Sequence, residues 1–204
     1  MEEKERSEIL IVGLGNPESE AYGDTRHNLG FACVRELARR LDVRIDRKRW
    51  KSLVGRSEAR GLWFVLPQTY MNLSGEAVAR ALKDAGIKAR DTWVVYDELD
   101  LPMCRMRIRI GGSGAGHNGV RSLISSLGTD EFVRFRVGIG KPSRVGSHAG
   151  VHYVLGRFTK AEAERLPQVV GGVADALQVA LEAGVERAMD RYNRPGALGC
   201  EELR

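Results

Sequence analysis

Short apolar runs and amphipathic segments alternate along this chain, and that order limits the folds it can adopt. Residues 9–14 form a β-branched apolar run that ends in a glycine-rich loop, which is typical of a buried strand. Residues 29–41 carry apolar side chains at helical spacing, with arginines between them. The same criteria predict, in order, a strand pair at 53–66, a helix at 74–85, strands at 92–96 and 105–110, a helix at 118–127, a strand at 132–139 and a helical C-terminal third. Strands that alternate with helices predict an α/β domain.

Residues at the ends of these segments predict where the helices begin and end. Ser74 is predicted to cap the helix that stops at Gly86, and Gly128 to end the helix at 118–127. Thr159 and Glu162 have the spacing of a capping box, and Pro167 is predicted near a helix start. The 204 residues contain no repeat or linker. We therefore predict one domain at 9–190, a charged extension at 1–8 and a loose tail at 191–204.

Composition restricts the compartment and the kinds of partner. No stretch approaches the roughly 20 consecutive apolar residues that cross a bilayer. The charged N-terminus lacks the apolar core of a secretory signal, so we expect a cytoplasmic protein with no membrane partner. Cys33, Cys104 and Cys200 are odd in number and far apart, which predicts neither a disulfide framework nor a zinc site. The net charge of +5 is compatible with contacts to phosphates.

Polar residues suited to chemistry lie at the ends of the predicted elements, and in open α/β sheets ligands bind at the carboxyl ends of the strands. These residues are Asn16, His27, Asn72, Asp97, His117 and Asn118. A neutral histidine can take a proton from water at neutral pH, and a carboxylate can hold its ring in one tautomer. Asparagines can orient water and carbonyl groups. The set predicts a hydrolase that activates water without a metal, and the absence of a G-x-S-x-G motif argues against a serine nucleophile.

Six motifs taken together resemble bacterial-type peptidyl-tRNA hydrolase. They are GLGNP (13–17), TRHN (25–28), LPQTYMNLSG (66–75), DELDLP (97–102), GHNG (116–119) and RVGIGKP (136–142), and the similarity extends from residue 9 to 158. The resemblance implies one mixed, twisted β-sheet flanked by helices, a monomer, and neither metal nor cofactor. It also implies hydrolysis of the ester that joins peptide to tRNA in peptidyl-tRNA, which recycles tRNA from stalled translation.

The resemblance further implies a role for each matching residue. His27 corresponds to the catalytic base and Asp97 to its carboxylate partner. The substrate-binding positions are Asn16, Tyr22, Met71, Asn72, His117 and Asn118. In the family the asparagines hold the peptide and the water, the methionine flanks the peptide, and the tyrosine and the second histidine contact the RNA end. Arg109 and Arg136 correspond to the basic positions for the 5′ phosphate of the tRNA.

The spacing of the arginines favours phosphate binding independently of the resemblance. Arg105, Arg107 and Arg109 alternate with apolar residues and are predicted to share one face of a strand. Arg134 and Arg136 have the same spacing on the next strand. Two guanidinium groups on neighbouring strands can clamp a terminal phosphate through forked hydrogen bonds. A clamp of this kind reads the backbone rather than the bases, which suits an enzyme that accepts every elongator tRNA.

The chain departs from the family pattern at four places. The loop Pro17-Glu18-Ser19-Glu20-Ala21-Tyr22 lacks the usual glycine after the proline and is one residue longer, which can displace Tyr22. Cys104 stands where a glycine is common. Ser113 and Ala115 replace glycines in the turn at 111–116, and an alanine is disfavoured there if its φ is positive. None of these changes removes a predicted catalytic side chain.

Other interpretations remain open from the residues alone. Each asparagine can be a turn or cap residue, Met71 can be a packing residue, and the arginine stripe can be a solvated edge. The G-x-G-x-x-G match at 114–119 suggests a dinucleotide-binding enzyme, but no acidic residue follows at the required distance. His148 and His152 have no third ligand nearby in sequence to make a metal site. A catalytically inactive RNA-binding homologue of the same fold is the main alternative.

Overall fold

Seven strands form one mixed β-sheet in the computed structural model, which describes residues 8–19, 22–142 and 148–202. The strands are β1 (Ile9–Gly13), β2 (Arg47–Arg49), β3 (Ser52–Ser57), β4 (Leu62–Pro67), β5 (Thr92–Glu98), β6 (Met106–Ile110) and β7 (Val133–Gly138). Their order across the sheet is β2-β3-β4-β1-β5-β7-β6. The central strands β4, β1, β5 and β7 are parallel, whereas β2–β3, β3–β4 and β6–β7 pair antiparallel. The predicted fold class is confirmed.

Helices cover both faces of this sheet. They are α1 (Leu29–Arg40), α2 (Ser74–Ala85), α3 (Asn118–Leu127), α4 (Ala149–Val154), α5 (Lys160–Ala183) and α6 (Val185–Tyr192). One core packs the strands against α1, α5 and α6, and a second packs them against α2 and α3. Successive residues of β1 enter alternate cores, Ile11 the first and Val12 the second. Covering on both faces explains why the parallel strands have continuous apolar sequences.

Three of the predicted local features are wrong. Ser74 is the first residue of α2 and makes no cap hydrogen bond, because a short 3₁₀ turn over Met71–Leu73 precedes the helix. Pro167 lies inside α5 rather than near its start. It is tolerated there because Pro167 and Ala163, whose carbonyl loses its helical donor, are both exposed to solvent. The strand predicted at 92–96 is too short, since Asp97 and Glu98 also belong to β5.

Residues 191–202 of the predicted loose tail pack against the domain. Its predicted start at Arg191 falls within α6, and Leu198 and Cys200 are buried in the core. Cys200 is disulfide-bonded to Cys104, with the two Cα atoms 5.5 Å apart, contrary to the expectation of no disulfide. The sequence did not indicate this pairing because the two cysteines are 96 residues apart. Of the predicted extension at 1–8, only Glu8 lies among the described residues.

The described residues include no helix that is long and apolar enough to cross a membrane.

Candidate active site

The carboxyl edge of the parallel strands gathers the predicted site residues. Asn16 follows β1, Met71 follows β4, and Asp97 lies near the end of β5. A 3₁₀ turn over Arg26–Asn28, immediately before α1, carries His27. The start of α3 brings in His117 and Asn118. Because parallel strands end at the same edge, residues far apart in sequence meet in one place.

His27 and Asp97 form the most direct contact of the site. The Nδ1 atom of His27 lies 2.9 Å from Oδ1 and 3.0 Å from Oδ2 of Asp97, and both residues are buried. A carboxylate accepts hydrogen bonds, so Nδ1 carries the hydrogen and Nε2 holds the lone pair. The histidine is thereby fixed in the tautomer in which its other nitrogen can accept a proton.

His117 is a second hydrogen-bonding partner of Asp97. Its Nε2 atom lies 3.1 Å from Oδ1 of Asp97, and its Nδ1 accepts a hydrogen bond from the backbone N–H of Val120 at 3.3 Å. The Val120 donor requires a lone pair on Nδ1, so Nε2 carries the hydrogen and donates to Asp97. Sequence analysis assigned His117 only to the RNA end and missed this contact.

The same hydrogen bonds bear on metal binding. Donor atoms of His27, Asp97 and His117 lie within 4.8 Å of one another, close enough to hold an ion. Coordination through Nε2 of His117 would move the ring hydrogen to Nδ1, where the Val120 N–H already points. The described arrangement therefore fits a hydrogen-bonded set better than a metal centre.

Two opposing effects determine the charge of Asp97. Burial acts to raise the pKa of the Asp97 carboxyl, but the adjacent rings of His27 and His117 outweigh burial and hold that pKa well below its ordinary value. Asp97 therefore stays ionised across the neutral range. An ionised carboxylate at Nδ1 stabilises the imidazolium that forms when Nε2 takes a proton.

An asparagine network fixes the loop after β1. The side chain of Asn28 accepts a hydrogen bond from the Asn16 N–H at 2.9 Å and donates one to the Asn16 carbonyl at 3.2 Å. The Asn16 Oδ1 atom accepts from the Met71 N–H at 2.9 Å, which leaves the Asn16 Nδ2 as the donor for a ligand. Asn28, which sequence analysis did not single out, thus joins the His27 turn to the Asn16 loop.

Two adjoining cavities meet at His27. One of about 290 Å³ is lined by Asp97 and His117, and another of about 410 Å³ by Asn16, Tyr22, Met71 and Asn72. Both are also lined by His27, Asn118, Val151 and Val154. The structure thus brings all eight predicted catalytic and peptide- or RNA-end-binding residues to one cleft. Tyr22 keeps its place there, edge-on to Tyr70 at 6.3 Å between ring centroids, although residues 20–21 of its loop lie outside the described residues.

The predicted phosphate-binding arginines lie outside both cavities. The β6–β7 register places Arg107 opposite Arg136 and Arg109 opposite Arg134, so these four side chains share one face. Arg136 is already paired with Glu98, whose Oε2 lies 2.9 Å from Nε and 2.8 Å from Nη2. Arg109 is exposed, whereas Arg105, predicted on the same stripe, is paired with Glu202.

Arg134 has a different environment from its neighbours. It is buried and donates hydrogen bonds to the carbonyls of Gly112 and Ser113, which holds the glycine-rich turn against β7. In this turn the φ of Ala115 is +42°, a positive value that is unfavourable for alanine. Arg134 therefore supports the loop that leads to His117 and is not an open phosphate ligand.

Sequence analysis also missed a buried arginine, Arg26, beside His27. Arg26 lies 2.6 Å from Glu162 through Nη2, and its guanidinium stacks on the Tyr153 ring at 4.1 Å. Glu162 completes the predicted capping box by accepting from the Thr159 N–H at 2.6 Å. The sequence shows the capping box but not that its glutamate also receives Arg26.

Comparison with known proteins agrees with this geometry. The family model described as peptidyl-tRNA hydrolase matches residues 10–198. A peptidyl-tRNA hydrolase of Chloroflexus aggregans is 48% identical over 187 residues, covering 90% of this chain and 98% of its own. One of Syntrophotalea carbinolica is 42% identical, covering 90% and 96%. The crystal structure of peptidyl-tRNA hydrolase from Acinetobacter baumannii superposes with a TM-score of 0.83 at 30% identity, covering 96% of each chain. The motifs, the fold and these relatives agree: this chain belongs to the peptidyl-tRNA hydrolase family.

Proposed function

We propose that this chain hydrolyses the ester bond between peptide and tRNA, with His27 as general base and Asp97 as its orienting carboxylate. The observation that carries the proposal is the contact of both Asp97 oxygens with Nδ1 of His27, which leaves the basic Nε2 for the cleft. The activity of the family and the ester chemistry predicted from the sequence agree on this reaction.

The reaction follows from the positions of these groups. Nε2 of His27 takes a proton from a water molecule as the water oxygen attacks the ester carbonyl carbon. The carbonyl oxygen becomes an oxyanion, which amide donors stabilise. The protonated Nε2 then gives its hydrogen to the departing ribose oxygen, and the carbon–oxygen bond breaks to release peptide and tRNA. Asp97 balances the imidazolium charge between these two transfers.

The asparagines are suited to the donor role. The Oδ1 atom of Asn118 accepts a hydrogen bond from Arg121, so its Nδ2 is the donor available to a water or an oxyanion. Asn16 is held in the same sense by Met71, as described above. Asn72 lines the same cavity and can contact the peptide backbone, while Tyr22 and Met71 provide its less polar surface.

We assign Arg109 and Arg136 to the 5′ phosphate of the tRNA acceptor end. Arg109 is exposed on the edge strand β6, so its guanidinium is accessible to a phosphate from solvent. Arg136 can join it only by sharing its guanidinium between the phosphate and Glu98. Substitution of both arginines by alanine is expected to weaken tRNA substrates far more than short ester fragments. Equal losses of affinity for tRNA substrates and for short ester fragments would contradict the assignment of these arginines to the phosphate.

We also place this activity in the cytoplasm, where peptidyl-tRNA arises, and assign it to the monomer, because all eight cleft residues come from one chain.

The test is a hydrolysis assay on peptidyl-tRNA with wild type and His27→Ala. Loss of a general base lowers kcat by roughly 10²–10⁴-fold, and tRNA affinity measured by filter binding should stay close to that of wild type. Wild-type protein that binds tRNA but never releases peptide would instead favour the inactive RNA-binding homologue.

A further inference from the structure

The residues after α6, numbered 193–202 and called here the C-terminal strap, lie along the edge strand β6. The Asn193 side chain accepts from the Ile108 N–H at 2.7 Å and donates to the Ile108 carbonyl at 3.1 Å. These two bonds satisfy backbone groups that an edge strand otherwise exposes. Leu198 is buried in the core, and Glu202 pairs with Arg105 at 2.8 Å. The strap thus lies against the outer edge of β6, while the side chains of Arg107 and Arg109 stay exposed.

A covalent bond closes the strap over this strand. Cys104 precedes β6 by two residues and is joined to Cys200, which is 96 residues later in sequence. Both cysteines are buried. Cys104 has φ of +70°, a backbone conformation that favours glycine. Cys104 lines neither cavity of the cleft, and its side chain is instead bonded to Cys200.

We propose that Cys104 and Cys200 form a reversible dithiol–disulfide site whose co-reactant is a small-molecule disulfide, and that its oxidation locks the strap onto β6. In the first step the Cys200 thiolate attacks the small disulfide, which forms a mixed disulfide and releases one thiol. In the second step the Cys104 sulfur attacks the Cys200 sulfur and releases the second thiol. Two protein thiols are oxidised and one small disulfide is reduced to two thiols, so the electrons balance.

The order of the two steps follows from exposure. Cys200 is 9% exposed and Cys104 only 1%, so a small disulfide reaches Cys200 first and Cys104 acts as the resolving thiol. Cys33 takes no part, because it is fully buried and burial raises the pKa of its thiol well above the ordinary value. The site therefore consists of two cysteines out of three.

Oxidation is expected to stabilise the protein. A cross-link between residues 96 apart closes a long loop and removes conformational freedom from the unfolded chain. For a chain of this size, we expect reduction to lower the thermal midpoint by roughly 5–15 °C. Reduction also frees the strap end, so protease cleavage after Arg194 should become faster.

The experiment compares the full chain after treatment with oxidised glutathione and after treatment with dithiothreitol. Alkylation under denaturing conditions, followed by mass spectrometry, should label one cysteine in the oxidised protein and three in the reduced protein. Differential scanning calorimetry should show the lower midpoint only after reduction. Neither readout uses hydrolysis, so this proposal and the proposed function fail independently.

Three variants separate the cross-link from general effects on packing. Cys200→Ser should abolish the response to dithiothreitol. Cys104→Gly should also abolish it, although glycine suits the backbone at φ of +70°. Cys33→Ala should keep the full response, whatever its own stability. Three labelled cysteines after treatment with oxidised glutathione, or a midpoint that dithiothreitol leaves unchanged, would overturn the proposal.

Discussion

Replacing Arg26 by methionine tests how the turn that carries His27 is held. Methionine retains much of the aliphatic volume of arginine and removes the charge. Arg26 and Glu162 are 6% and 12% exposed in their side chains, and their closest atoms are 2.6 Å apart. Removing one partner of a buried pair costs about 3–5 kcal/mol. Glu162 would keep the Thr159 N–H at 2.6 Å and the Tyr153 hydroxyl at 3.3 Å, so we expect the lower end, about 3 kcal/mol.

Urea denaturation followed by circular dichroism measures this loss as a lower midpoint at an unchanged slope. The matched control is Arg39→Met, because Arg39 pairs with Glu36 at a similar 2.8 Å but is 73% exposed. Exposed pairs contribute little, so the control should remain close to wild type. Equal destabilisation by the two substitutions would refute the reasoning that burial gives the Arg26 pair its strength.

Acid pH supplies a second check on the same pair. Burial acts to raise the pKa of Glu162, but the Thr159 N–H and Arg26 together outweigh burial and lower that pKa. A carboxyl with a lowered pKa contributes stability above its unfolded-state value near 4.5, and this contribution is lost as the pH falls through the folded-state value. The stability difference between wild type and Arg26→Met should therefore be largest above pH 4.5 and shrink in more acid solution.

Two further predictions concern His117 and the contact between α2 and α3. His117→Gln retains a donor near Asp97, whereas His117→Asn can cap α3 but is too short to reach the carboxylate. The glutamine variant should therefore keep the higher kcat. A higher kcat for the asparagine variant would show that the cap is the more important contact. Gly75→Ala should cost roughly 1–3 kcal/mol in urea denaturation, because an added Cβ overlaps the Ser122 carbonyl where α2 and α3 cross; a neutral effect would show that the helices can separate freely.

The sequence predicts the elements of this fold well where their patterns are local. Runs such as 9–14 and 62–67 are apolar on both faces because both faces of the sheet are covered, and Gly86 and Gly128 end α2 and α3 with φ of +69° and +68°. The C-terminal strap escaped prediction because it has no periodicity. Leu198 and Cys200 are buried one at a time, by contacts with residues distant in sequence.

The same difference between local patterns and long-range contacts applies to the residues of the site. Motifs predict roles for His27 and Asp97, but no local pattern indicates that His117 also donates to the Asp97 carboxylate. Glu162, the partner of Arg26, is 136 residues away. Its role in the capping box already explains why a glutamate stands there, so the sequence does not indicate a second contact. Pairing between β5 and β7 likewise brings Arg136 next to Glu98. This ion pair reduces the number of arginines on that face that are unpaired and available to a phosphate.

The position of His27, the proposed general base, depends on three consecutive side chains that contact different elements. Arg26 binds Glu162 at the start of α5, His27 binds Asp97 on β5, and Asn28 binds the loop of Asn16. A 3₁₀ turn of three residues has little stability of its own, so its geometry is determined by these contacts to three separate elements. Because an error of about 1 Å in a catalytic group can cost about 10²-fold in rate, Arg26→Met and Asn28→Ala should each lower kcat while leaving His27 and Asp97 chemically intact.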